Sequence, residues 1–181
     1  MTMNWTLRSD GEDLMNNRTK KIAYLGLITA VALILSYVES LFPPIWAAVP
    51  GIKMGLPNIV IVFLLYRFGF KEAIGVSLIR VFIVSLLFGN VMSLAYSLAG
   101  AVLSLVLMVV LKKLDLFSTV GVSIAGGVSH NLGQIIVAML VMETAEIGYY
   151  MIVLAVTGTL AGAFIGLAGS ILLKYMKNVK I

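Results

Sequence analysis

The sequence contains no cysteine, a single histidine and only three aspartates among its 181 residues. Without cysteine the chain forms neither a disulfide nor a cysteine-ligated metal site, and thiol catalysis is excluded. A lone histidine also argues against a zinc site. The aspartates, Asp10, Asp13 and Asp115, all lie outside the long apolar runs, and no phosphate-binding glycine loop is present. We therefore expect neither a resident metal nor ATP hydrolysis by such a loop.

Charged residues are also scarce, at 12%, whereas 61% of the residues are hydrophobic. Soluble domains have about 45–50% apolar and about 25% charged residues, so this composition is typical of an integral membrane protein. Because a membrane-spanning helix needs about 20 apolar residues, we predict an all-α bundle of six transmembrane helices. The predicted spans are residues 22–42, 55–70, 72–89, 91–111, 119–142 and 149–174.

The basic residues predict the orientation of these helices, since cytoplasmic loops carry an excess of lysine and arginine. Of the 13 basic residues, Lys53 falls on one side, Arg80 lies inside a span and the others fall on the opposite side. Both termini are therefore predicted to be cytoplasmic. Residues 1–21 form an N-terminal tail, residues 22–174 the membrane domain and residues 175–181 a basic tail. The net charge of +5 lies at helix ends, so the expected partner is the lipid bilayer and not nucleic acid.

Arg80 is the most informative polar residue, because it lies about 12 Å into the third predicted span at 1.5 Å per residue. A charge at that depth is costly and marks a functional site or an internal pair. In the structural interpretation, Arg80 pairs with Glu39 or with free backbone carbonyls. In the functional interpretation, its guanidinium binds an anionic or carbonyl-rich ligand in a bidentate way.

A second polar cluster lies in the fifth predicted span. His130 and Gln134 are one helical turn apart and share a face, with Asn131 beside them. A lone histidine is usually a satisfied core residue, but three adjacent hydrogen-bonding side chains favour a binding role. A third group is expected near the outer surface, where Trp46 is either a ligand contact or an interfacial anchor. Its members are Glu39, Trp46, Lys53, Asn58, Asn90, Ser93, Tyr96 and Ser97.

Small residues recur four apart in two spans, which permits close approach of another helix. The sixth span carries Gly158, Gly162 and Gly166, and packing within the bundle is favoured there over dimerisation. The first span has a shorter series, Ala23, Gly26 and Ala30, in which only Gly26 and Ala30 are four apart.

Several stretches resemble the Gx transporter family, which is often labelled heptaprenyl diphosphate synthase component I. Together the matches extend over residues 22–174. They are GIKMGLPNIV at 51–60, YRFGFKEA at 66–73, SLIR at 77–80, SLLFG at 85–89, SLAYSLAG at 93–100 and GVSHNLGQ at 127–134.

That family is similar to the substrate-binding S components of energy-coupling factor (ECF) transporters. The resemblance implies a multi-pass protein of the bacterial cytoplasmic membrane that binds a vitamin or related cofactor from outside. It also implies a membrane coupling subunit and two cytoplasmic ATPases as partners, so that ATP acts only through them. Ala23, Gly26 and Ala30 would contact the coupling subunit.

We therefore expect a transport component that is not an enzyme. Its ligand would be an acidic or heteroaromatic cofactor, such as a flavin, held in the outer half of the bundle under a loop at residues 43–57. One alternative is a membrane subunit associated with isoprenoid or menaquinone biosynthesis, although the two aspartate-rich magnesium motifs of prenyl diphosphate synthases are absent. The other is a structural adaptor without a ligand.

Overall fold

The computed structural model describes residues 5–41 and 55–178, and the side chains of residues 18–41 and 55–177. Over these residues the chain is helical throughout, with six α-helices and no strand, which confirms the predicted fold class. Short 3-10 helices precede and follow the last α-helix, at Glu146–Tyr150 and Met176–Asn178. The α-helices are α1 Trp5–Ser40, α2 Asn58–Arg67, α3 Phe70–Phe88, α4 Val91–Leu114, α5 Thr119–Met142 and α6 Met151–Tyr175.

Local signals explain why the helices end where they do. Gly69, between α2 and α3, has a φ of 120°, a conformation that glycine adopts without steric cost. The Asn90 side chain accepts a 2.8 Å hydrogen bond from the Ser93 N–H and so caps α4. Asp115 and Glu143 have left-handed backbones, with φ of 53° and 51°, and terminate α4 and α5. The short connections place consecutive helices side by side.

Four described helices are long and apolar enough to cross a membrane, namely residues 18–40 of α1, α4, α5, and α6 with its preceding 3-10 turn. Their outer surfaces are hydrophobic. Ile22, Val91, Leu140 and Ile152 are each more than 70% exposed. Contiguous apolar surface of this kind is costly in water but favourable against lipid tails. The chain is a multi-pass membrane protein.

The helix α2 is shorter than the sequence predicted and lies at the centre of the bundle. It has 10 residues instead of the 16 expected at 55–70, and so is about 15 Å long, half the thickness of a bilayer core. Residues 60–65 are all buried, which means that every side of the helix is covered. It packs against α6, α3 and α1. At its end the Lys112 ammonium donates to the Leu65 carbonyl and lies 5.0 Å from the Tyr66 ring centroid.

The helix α1 is longer than predicted, because it begins at Trp5 and not near residue 22. Residues 5–21, expected to form a tail, therefore continue the first helix. Lys21 forms a 2.6 Å ion pair with Glu72 and so joins α1 to the first turn of α3. Most of the loop predicted at 43–57 lies outside the described residues.

Glycines set the closest helix contacts and hold α5 between α4 and α6, the helices against which it packs most extensively. A Cβ atom added to Gly162 would lie 2.6 Å from the Ile124 Cα atom, and one added to Gly127 would lie 2.5 Å from the Gly158 carbonyl oxygen. The α6 glycines therefore pack within the bundle, which confirms that interpretation of their spacing.

Candidate functional site

A polar cavity lies inside the bundle, and five of the six helices or their first turns contribute to it. The space has a volume of about 30 Å³, which corresponds to about two or three water molecules. Among the described residues, the apolar side chains that line it are Val81 and Val84 of α3. The other lining residues are Ser36, Glu39, Gly55, Asn58, Arg80, Ser97, His130 and Gln134.

The Glu39 carboxylate supplies the negative charge of the cavity and is only 7% exposed. It accepts a hydrogen bond from the backbone N–H of Gly55 and thereby links the end of α1 to the turn that precedes α2. Gly55 has a φ of 79°, and a Cβ atom there would lie 3.1 Å from the Asn58 amide nitrogen. Both observations favour glycine at this position. Ser36 lies one turn before Glu39, and its hydroxyl donates to the Ala32 carbonyl at 2.8 Å.

Arg80 supplies the positive charge from α3, the helix that packs along α1. Its Nε atom is buried and has no hydrogen-bond partner among the described residues. The charge of Glu39 interacts with it electrostatically and offsets part of the cost of burying the guanidinium. A buried donor without an acceptor costs about 1–3 kcal/mol. In a polar cavity of this size, an ordered water or a ligand can supply the acceptor.

His130 and Gln134 reach the cavity from α5, where they flank Gly133. A Cβ atom added to Gly133 would lie 2.7 Å from the Ala99 carbonyl oxygen, so the backbones of α4 and α5 are in contact at this point. Gly100 of α4 faces the imidazole, because a Cβ atom there would lie 2.9 Å from Cε1 and 3.0 Å from Nδ1 of His130. The glycines thus fix where the two polar side chains stand.

Other residues predicted for the site have different positions. Asn131 is 6% exposed and donates a 2.8 Å hydrogen bond to the Leu154 carbonyl, so its amide joins α5 to α6. Asn90 caps α4 through its side chain. Tyr96 is half-buried and does not line the cavity, whereas its neighbour Ser97 does. Trp46 and Lys53 lie outside the described residues.

Metal ligation is not supported by these side chains. Within the part of the chain that the structure describes, no three histidine, aspartate or glutamate side chains lie close enough together to share an ion. The chemistry that the cavity does offer is hydrogen bonding and charge complementarity. It provides a guanidinium, a carboxylate, two primary amides, an imidazole and hydroxyl groups.

A comparison with known families shows to which family the chain belongs. The family model described as heptaprenyl diphosphate synthase component I matches residues 28–172, which is most of the chain. The chain belongs to this family. The match extends from the middle of α1 to the end of α6, and it confirms the resemblance drawn from the glycine-rich stretches. No curated protein and no solved structure shows significant similarity to the chain.

Sequence patterns missed several contributions to the site, among them those of Ser36, Gly55 and Gly100. Ser36 could have been found from its spacing, because a residue three positions before Glu39 shares its helix face. Gly100 carried no such signal, since its contact with His130 depends on how α4 crosses α5.

Proposed function

We propose that this chain is the substrate-binding S component of an ECF-type transporter and that it binds a small polar solute in the cavity. The observation that carries the proposal is the buried Nε atom of Arg80, which lacks an acceptor among the described residues in a cavity formed by five helices. An acceptor on a bound solute would pair this donor and remove the cost of leaving it unsatisfied.

The size of the cavity limits how binding occurs. A volume of about 30 Å³ is far below the roughly 300–1,000 Å³ typical of small-molecule sites. A cofactor-sized solute therefore enters only if the lining helices move apart. The α4–α5 and α5–α6 crossings are held by backbone contacts at glycines. By contrast, a carboxylate hydrogen bond joins α1 to the turn before α2, and we expect the opening to occur there.

The first helix supports the assignment of a coupling partner. Ala23, Gly26 and Ala30 are all exposed, and a Cβ atom at Gly26 would meet no heavy atom within 4 Å. These three residues are thus not buried against the other described parts of the chain, unlike the glycines of α6. A surface of this kind permits close approach of another membrane helix, which is what a coupling subunit would require.

The test begins with the protein in lipid nanodiscs and mass spectrometry of the small molecules that co-purify with it. Binding of an identified solute is then compared for wild type, Arg80→Ala and Arg80→Lys. We expect Arg80→Ala to lose about 2–5 kcal/mol of binding, which is roughly 30- to 5,000-fold in affinity. Arg80→Lys should also bind weakly, because an ammonium cannot copy the planar fork of a guanidinium.

Thermal unfolding without and with the solute distinguishes a role of Arg80 in binding from a role in stability. Lys71→Ala is the matched control, since Lys71 is an exposed basic residue on the same helix. If Arg80→Ala melts earlier but binds normally, and Glu39→Gln behaves likewise, the two residues form a structural pair. That result would favour a structural adaptor and refute the solute site.

The description of the family favours a second candidate, a membrane subunit associated with heptaprenyl diphosphate synthesis. It predicts that the chain raises the activity of a prenyl-elongating partner in the absence of any ATPase. Transport would be favoured if solute uptake requires the ATPases and the chain does not change the activity of the prenyl-elongating partner.

A further inference from the structure

Among the described residues that line the cavity, one negative and one positive charge balance each other, which limits the class of solute. Glu39 and Arg80 carry opposite charges on two helices that pack against each other, and they interact electrostatically. A second full negative charge in this small space would lie near the carboxylate of Glu39, which is almost completely buried. Like charges in a poorly solvated site repel strongly. The arginine therefore does not by itself favour a phosphorylated solute.

The hydrogen-bonding capacity of the same two residues is complementary. A guanidinium only donates and an ionised carboxylate only accepts, with room for about four hydrogen bonds at its two oxygens. The buried Arg80 Nε atom needs an acceptor, and a neutral carbonyl oxygen satisfies it without adding charge. The primary amides of Asn58 and Gln134 each donate and accept, so they fit a neutral polar ring equally well.

From this arrangement, and resting on the proposed solute-binding function, we propose that the cavity selects a neutral solute. The recognised edge of that solute carries an N–H group beside a C=O group, as in a cyclic imide or ureide. Arg80 donates to the carbonyl oxygen and Glu39 accepts from the N–H. The site discriminates against solutes that place a full negative charge against Glu39.

Two flavins test this proposal, because they share one ring system. Riboflavin has an imide edge, and 3-methylriboflavin blocks the imide N–H. Binding is measured by flavin fluorescence with the full chain in nanodiscs at neutral pH. We expect riboflavin to bind about tenfold or more tightly than the methylated analogue, the ratio that corresponds to one lost hydrogen bond.

Glu39→Gln separates the charge from the packing, since glutamine keeps an acceptor oxygen for the Gly55 N–H. In this variant the preference for riboflavin over 3-methylriboflavin should fall several-fold, because a neutral amide oxygen is a weaker acceptor than a carboxylate. In Glu146→Gln, which changes an exposed acid outside the cavity, it should stay as in wild type. A loss of stability alone would weaken both flavins together and leave the ratio unchanged.

Two results would overturn the inference. These are undiminished binding of 3-methylriboflavin and failure of both flavins to bind. In each case Arg80-dependent binding of another co-purified solute would leave the proposed function standing. If the wild-type protein holds no solute at all, both the proposed function and this inference are wrong.

Discussion

Replacing Gly162 by alanine adds one methyl group at the closest point between α5 and α6. The new Cβ atom would lie 2.6 Å from the Ile124 Cα atom and 2.8 Å from the Ser123 carbonyl oxygen. Carbon atoms in contact prefer separations of about 3.5–4.0 Å, so the deficit is about 1 Å. The obstructing atoms belong to the backbone and cannot rotate away. The two helices must therefore separate along the crossing.

Overpacking of this kind costs about 1–3 kcal/mol. For a chain of this length, each kcal/mol lowers the melting temperature by about 2–4 °C, so we expect a decrease of about 2–12 °C. Gly162→Leu should be worse and should reduce the yield of folded protein. Neither change should alter which solute binds, because Gly162 does not line the cavity.

The assay is thermal unfolding in one detergent, with Gly75→Ala on α3 as the matched control. A Cβ atom at Gly75 would meet no heavy atom within 4 Å. That substitution should be neutral or stabilise the helix by about 0.5–1 kcal/mol. Equal melting temperatures for Gly162→Ala and wild type, or an equal loss in Gly75→Ala, would refute the argument that this contact limits packing. A change of solute preference in Gly162→Leu would place α6 at the site.

Three further predictions concern topology, partner and site. Cysteines introduced at Lys53 or Glu143 should react with a membrane-impermeant reagent added outside and one at Lys113 should not; the reverse pattern would invert the predicted orientation. Gly26→Leu or Ala30→Leu should reduce co-purification with the coupling subunit while solute binding persists, and wild-type recovery would move the contact to another helix. Gly100→Ala should displace the His130 imidazole and weaken solute binding, measured as for Arg80→Ala, and unchanged affinity would remove His130 from the site.

The number and the class of the elements could be read from the sequence, because long apolar runs separated by charged residues have few physical solutions other than membrane helices. The length of α2 could not. Its apolar run continues past both ends of the helix, and only the turn at Gly69 and the turn before Asn58 set the bounds. The extension of α1 to Trp5 was hidden for a related reason, since a polar segment joined to a stable helix can continue it without an apolar signal of its own.

The sequence could predict candidate site residues only from the free-energy cost of placing polar side chains within apolar helices. Charged and amide groups within apolar helices need partners, and four residues selected by this rule line one cavity, namely Glu39, Arg80, His130 and Gln134. It could not separate His130 from Asn131, since adjacent residues on a helix point about 100° apart. The Asn131 side chain points toward α6, where the Leu154 carbonyl oxygen accepts a hydrogen bond from its amide. On α4 the same difference of one residue position decides that Ser97, and not Tyr96, lines the cavity.

The rotation of α5 about its own axis is set by close glycine contacts on two of its sides. Contacts at Gly133 with the Ala99 carbonyl and at Gly127 with the Gly158 carbonyl are too close for any side chain, so α5 cannot turn about its axis without a clash on one side. With the helix fixed in this way, His130 and Gln134 must face α1 and α3, where Glu39 and Arg80 stand. The glycines therefore have two roles, because their contacts stabilise the bundle and also determine which polar groups share the cavity.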